Sequence, residues 1–255
     1  MSAARARTAP VETEIAGGIA WLTLARPATR NRLGEELMCA LAEACEAMEH
    51  DETVRALVLS GAGRHFCAGL PRGVGWPPRS WPDAIASVAA VSKPVVACLE
   101  GTVSGWGVAL ALACDIRLAA STAVLRLDEV PRGRLPGGGV TQRLPRVVGP
   151  ARAMAMLLLG APVRARTAAD WGLVSRVVPA SRLRAAAAAT ARELAARGPL
   201  AQRLAKEAVV RALDMPLDEG MRLEHDLYVL LQTTADRREG VRSFLERRTP
   251  RYEGR

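Results

Sequence analysis

LEGTVSGWGVALALACD, residues 99–115, divides into three parts: the end of a buried strand, a turn carrying Gly101, Gly105 and Gly107, and a helix of small apolar residues. Glycine lets a ligand's polar atom lie against bare backbone, because no Cβ stands in the way. A helix that begins at such a turn aims its unpaired N–H groups, and the positive end of its dipole, at the same spot. The chemical partner of that arrangement is an anion, or an oxygen that becomes one during a reaction. The same residues also suit a plain strand-to-helix crossover whose glycines serve close packing. The flanking sequence bears on the choice.

Upstream, residues 95–99 form a short apolar run behind Pro94, and residues 55–60, RALVLS, form another. Both read as strands of a parallel sheet covered on both faces. Between them lie the loop His65-Phe66-Cys67-Ala68-Gly69-Leu70-Pro71, a Gly/Pro/Trp segment at 72–81 expected to be a mobile loop, and a short helix at 82–91. Residues 34–49 place Leu37, Leu41, Cys45 and Met48 on one helical face. Residues 11–15 and 19–24 read as a hairpin around Gly17-Gly18. Downstream come two short strands at 116–119 and 123–127. Asp128 and Glu129 follow directly, ahead of a proline- and glycine-broken loop at 130–139. Acids at a strand end facing a loop are well placed for chemistry, and equally suit a solvated turn. Strand alternation would send the two carboxylates to opposite faces. Residues 141–147, 151–159 and 167–171 are expected helices, and 173–178 one more strand. Ser181 is expected to cap an alanine-rich helix reaching about residue 197. Beyond Gly198-Pro199, three amphipathic helices are expected at 200–213, 217–233 and 237–247. The alternation of strand and helix predicts an α/β fold with right-handed crossovers around a mostly parallel sheet.

Composition narrows the class. The chain has 255 residues, 49% of them apolar, enough for one large α/β domain with a helical appendage. No apolar run approaches the roughly 18–20 residues of a membrane span. The basic N-terminus MSAARARTAP leads into no apolar segment, so an unstructured tail is expected there rather than a secretory signal. The net charge of +9 rests almost wholly on arginine, Lys93 and Lys206 being the lysines. The arginines are spread along the chain without interleaved aromatics, which argues against nucleic acid as the main partner. Cys39, Cys45, Cys67, Cys98 and Cys114 form an odd set without a CxxC, as in a cytoplasmic protein with reduced thiols. His50, His65 and His225 lie far apart, and no metal-ligand spacing is present.

Six stretches in this order give the chain a strong resemblance to the crotonase, or enoyl-CoA hydratase/isomerase, superfamily. They are RPATRNRL at 26–33, VRALVLSGAGRHFCAGL at 54–70, the glycine turn continuing to ALACDIRLAA at 111–120, DEVPRGRLPGGGVTQRL at 128–144, ADWGLVSRVV at 169–178, and EGVRSFLERRTPRYEGR at 239–255. The resemblance covers nearly the whole chain. It implies a crotonase-like spiral of ββα repeats over residues 1–197 and a C-terminal helical trimerisation region over 198–255. It implies an acyl-CoA substrate, with CoA part of the substrate and no separate cofactor or metal, and a homotrimer or dimer of trimers without membrane attachment. Two backbone N–H groups, matching Leu70 and Trp106, would hold the thioester oxygen as it becomes an enolate. The family's usual glycine is replaced at Trp106, but only proline lacks the N–H.

Two family glutamates match Ala109 and Glu129. The first, which orients water in hydratases, is absent. The surviving carboxylate suffices to shuttle a proton between carbons of an enolate, an isomerase-type reaction. Ala109 and Trp106 are the expected acyl-pocket residues, and Trp76 and Trp81 suggest further aromatic lining. By the same resemblance, CoA contacts fall on Cys67, Ala68 and Leu70 through backbone, on Arg30 and Arg72 for phosphate, and on Phe244 and Arg247 from a neighbouring subunit. The alternatives are hydration of a 2-enoyl-CoA despite Ala109, another acyl-CoA lyase, decarboxylase or hydrolase reaction using the same oxyanion hole, and a non-enzymatic homologue that binds RNA or protein. Ser104-Gly105 does not form the G-x-S-x-G elbow of a serine hydrolase.

Overall fold

The computed structural model describes residues 9–255. The tail expected over 1–10 lies, as far as residue 8, outside the described residues. β1 (Val11–Ala16) and β2 (Ile19–Leu24) form an antiparallel hairpin. Gly17 and Gly18 turn it with φ of 58° and 77°, the left-handed pair that matches strand twist. α1 (Glu35–His50) then buries Leu37, Met38, Leu41, Cys45 and Met48, with Glu35 and Glu36 at the positive end of its dipole. β3 (Ala56–Gly61) is followed by α2 (Ala84–Ala90), whose N-cap Asp83 accepts from the Ala86 N–H at 3.0 Å.

β4 (Val95–Leu99), β5 (Thr102–Ser104) and α3 (Trp106–Ala113) make up the stretch that opened the sequence. β6 (Ile116–Ala120), β7 (Val124–Arg126), α4 (Val140–Val148), α5 (Pro150–Leu159), β8 (Val163–Arg164), α6 (Ala165–Asp170) and β9 (Arg176–Val178) follow. The chain ends in α7 (Leu183–Ala195), α8 (Pro199–Arg211), α9 (Leu217–Gln232) and α10 (Ala235–Leu245).

The strands make a six-stranded sheet in the order β1-β2-β3-β4-β6-β9, parallel apart from the β1–β2 pair, and a smaller sheet β5-β7-β8. Strand alternation feeds two cores. Leu57 and Leu59 of β3, with Val95, Ala97 and Leu99 of β4, join the main core against α1, α2 and α3. Val58, Val96 and Cys98 face the other way, onto Ala187 and Ala191 of α7. Strands covered on both faces are apolar at every position, which is why these runs do not alternate in sequence. Burial pushes the thiols of Cys45, Cys67 and Cys98 up to about 12, leaving them unreactive. The two lysines tie elements together. Lys93 Nζ donates to the Met48 and Asp51 carbonyls, and Lys206 Nζ pairs with Asp115 at 2.7 Å, docking α8 on the core.

Three local expectations are corrected. The strand expected at 173–178 is reduced to β9, because the Leu173 and Val174 N–H groups close onto the Ala168 carbonyl after α6. Ser181 is not a cap: it lies in a 3-10 turn, and α7 starts at Leu183 without a side-chain cap. The strand expected at 123–127 ends at Arg126, so Asp128 and Glu129 lie beyond the ladder and its alternation.

Candidate active site

The loop after β3 is held by a nearly complete set of backbone bonds. Asn31, fully buried and in the left-handed region, donates to the Ala62 and His65 carbonyls at 3.0 and 2.7 Å. The Phe66 N–H reaches Glu100 O, the Ala68 N–H reaches Arg30 O, Leu33 N donates to Gly69 O, and Ser104 N donates to Cys67 O. Arg32 Nη1 bridges the two carbonyls still open, Ala68 O at 2.8 Å and Leu70 O at 2.6 Å. What remains is the Leu70 N–H, which donates to no described residue.

A second free N–H lies beside it. Gly105, at φ 54° and ψ −120°, is the N-cap of α3, so the Trp106 N–H heads the helix without an intrahelical partner. The two segments touch at Gly69, φ 80°. A Cβ there would stand 2.8 Å from Ser104 O and 3.5 Å from Trp106 N. Only glycine admits both that φ and that approach. Leu70 and Trp106 line one cavity of about 310 Å³.

Glu129 lies on the same wall. It sits at φ −67°, ψ −50°, at the start of a 3-10 turn, and is 9% exposed. A Cβ on Gly105 would collide with its Oε1, so the carboxyl rests on the glycine next to the Trp106 N–H. Its Oε2 is buried without a hydrogen-bond partner among the described residues. Burial, supported by the Asp128 charge, raises its pKa, while its own backbone N–H, Arg134 and Arg132 pull the other way. A carboxyl whose pKa is raised by burial, on the wall of a cavity, can both accept and return a proton.

Asp128 shares this cavity, contrary to the opposite-face expectation, because the chain has left the strand before reaching it. Its carboxylate is held by Arg132 at 2.8 Å and Arg126 at 3.5 Å. The acyl-pocket expectation also divides. The Trp106 indole, buried on the wall, meets Trp76 edge-on at 5.5 Å. Ala109 is fully buried and does not reach the wall. A Cβ on Gly138 would come within 2.8 Å of the Ala109 methyl, 2.7 Å of Ile85 and 3.3 Å of the indole, so Ala109 is a core residue behind Trp106.

The remaining candidates sit in different places. Ala68 and Arg72 line the cavity, and Arg72 also borders an adjoining groove of about 580 Å³ that carries Arg30. Cys67 does not line the cavity: its side chain is buried and its carbonyl accepts from the Ser104 N–H. Phe244 is 81% exposed on α10, and Arg247 follows that helix; within this chain neither borders the cavity or the groove. Asn31 and Arg32 were missed in sequence. The signal was a polar pair inside the motif RPATRNRL, whose side-chain donors all reach carbonyls distant in sequence while Asn31 Oδ1 accepts from the Arg26 N–H.

A parallel-sheet α/β fold with two free N–H groups and a buried carboxyl around one cavity has the chemistry to bind an oxyanion beside an acid–base group. The chain belongs to the enoyl-CoA hydratase/isomerase family, whose sequence profile matches residues 14–255. It is 37% identical over 254 residues to the (E)-benzylidenesuccinyl-CoA hydratase of Thauera aromatica, covering 96% of this chain and 99% of that one. It is 38% identical to the 1,2-epoxyphenylacetyl-CoA isomerase of Escherichia coli K12, over 93% and 95% of the two chains. The crystal structure of an enoyl-CoA hydratase from Bacillus anthracis superposes with a TM-score of 0.90 at 33% identity, covering 96% of this chain and all of that one.

Proposed function

We propose that this protein moves a proton within the acyl group of a CoA thioester, as an enoyl-CoA isomerase does. CoA enters as part of the substrate. The Leu70 and Trp106 N–H groups receive the thioester oxygen as charge develops on it. Glu129 removes a proton from Cα of a 3-enoyl thioester. The electron pair spreads through the dienolate onto that oxygen, and Glu129 delivers the proton to Cγ, leaving the 2-enoyl thioester. One observation carries the reading: the buried Glu129 carboxyl rests through Oε1 on Gly105, the residue before the free Trp106 N–H, with Oε2 unpartnered among the described residues and Ala109 contributing no second acid. The exposed apolar residues of α9 and α10, among them Met221, Tyr228, Leu230, Phe244 and Leu245, support a homotrimer.

A second reading, hydration of a 2-enoyl thioester, is favoured by Asp128 lying on the same wall as Glu129, where it could hold water in place of the absent glutamate. The test is incubation in D₂O with a 3-enoyl-CoA and, separately, a 2-enoyl-CoA, followed by mass spectrometry. Double-bond migration with deuterium uptake, lost in Glu129→Gln, supports the isomerase reading. Rapid gain of one water by the 2-enoyl thioester, lost in Asp128→Asn, replaces it with hydration.

A further inference from the structure

The cavity wall carries four guanidinium groups: Arg32, Arg72, Arg132 and Arg134. Two are spoken for. Arg32 bridges the loop carbonyls, and Arg132 is paired with Asp128. Arg72 and Arg134 have no hydrogen-bond or ion-pair partner among the described residues. Arg72 opens onto the groove shared with Arg26 and Arg30, a basic surface that suits the phosphates of CoA. Arg134 does not border that groove. It lies half-buried on the cavity wall, its Cδ 3.9 Å from where a Cβ on Gly75 would be. Its backbone N–H donates to Glu129 O at 2.9 Å, which anchors it to the chain segment of the proton carrier.

Arg134 acts on Glu129 through space, but no carboxylate among the described residues lies within ion-pair distance of its guanidinium. Asp128 is consumed by Arg132 and Arg126, and the Glu129 carboxyl rests on Gly105. The Trp106 indole, packed on Gly137 and Gly138, occupies one side of the cavity, and the exposed Trp76 meets it edge-on. A planar anion in this cavity finds an unused planar donor fork.

Given the acyl-CoA reading above, on which this rests, we propose that Arg134 recognises a carboxylate at the far end of the acyl group. The favoured substrates are then CoA monothioesters of short dicarboxylic acids. The test is calorimetric binding of hexanedioyl-CoA and hexanoyl-CoA to the wild-type protein, Arg134→Gln and Arg134→Lys. The wild type should bind the dicarboxylyl thioester roughly tenfold or more tightly, the scale of a charge-assisted hydrogen bond. That ratio should fall to near unity in Arg134→Gln and be partly kept in Arg134→Lys. Equal affinities in the wild type, or a preference that survives in Arg134→Gln, would overturn the subsite while leaving the acyl-CoA reading intact. Failure of both thioesters to bind the wild type would remove the acyl-CoA reading and the subsite with it.

Discussion

Replacing Ala109 by glutamate would put back the carboxylate that a hydratase of this family carries. The geometry predicts that the change brings damage rather than activity. Ala109 is fully buried, its methyl 2.8 Å from where a Cβ on Gly138 would stand, a point that Ile85 and the Trp106 indole also crowd. The added methylene and carboxyl have no cavity to enter. Overpacking of such a site costs about 1–3 kcal/mol, and each kcal/mol lowers the melting temperature of a chain this size by about 2–4 °C. The carboxyl adds a charge term. In an apolar site the native pKa of the new group rises above its unfolded value. Its stability contribution is then complete below the unfolded pKa and is lost as pH rises through the native one. Ala109→Gln, nearly the same shape without the charge, separates the two effects. Thermal unfolding should show both variants below the wild type, with the gap between them widening from about pH 5 to about pH 8. Neither should add water to a 2-enoyl thioester. A glutamate variant that melts with the wild type and hydrates the substrate would mean that residue 109 faces the cavity, and the argument would be wrong.

Glu129→Gln should reduce Cα deuterium exchange by about 10²–10⁴-fold. Burial raises the native pKa of Glu129, so the wild type alone loses stability as pH climbs through that value, and the variant's melting temperature should gain on it toward alkaline pH; a pH-independent difference would contradict the assignment. Arg32→Met removes the donor shared by the Ala68 and Leu70 carbonyls. It should lower kcat more than it raises KM, with partial recovery in Arg32→Lys, whereas unchanged kcat would show that the loop holds its shape alone. Gly69→Ala, at φ 80° and 2.8 Å from Ser104 O, should cost at least about 1–2 kcal/mol in backbone strain and abolish exchange by parting the two N–H groups. A variant that keeps wild-type exchange would separate that contact from catalysis.

Much of the fold was legible because its signals are local. The hairpin at Gly17-Gly18, the face of α1 and the doubly covered strands β3 and β4 each follow from spacing within a dozen residues. The strand end at Arg126 was not legible. Leu125 and Leu127 continue the apolar alternation, but the ladder partners stop first. That small difference moved Asp128 from the expected opposite face to the cavity wall.

The sequence by itself determined the backbone chemistry of the site: glycines where loops must touch, a helix start with an unspent N–H, and one carboxylate in place of two. Local rules suffice for these, because φ preference, N–H supply and the presence of an acid are properties of single residues. Only the tertiary structure decided where the side chains went. It turned Ala109 into core, laid the Trp106 indole on the cavity wall, spent Arg32 on loop carbonyls and left Arg134 without an ion-pair partner among the described residues. Burial and pairing are set by neighbours distant in sequence, and no spacing along the chain encodes them.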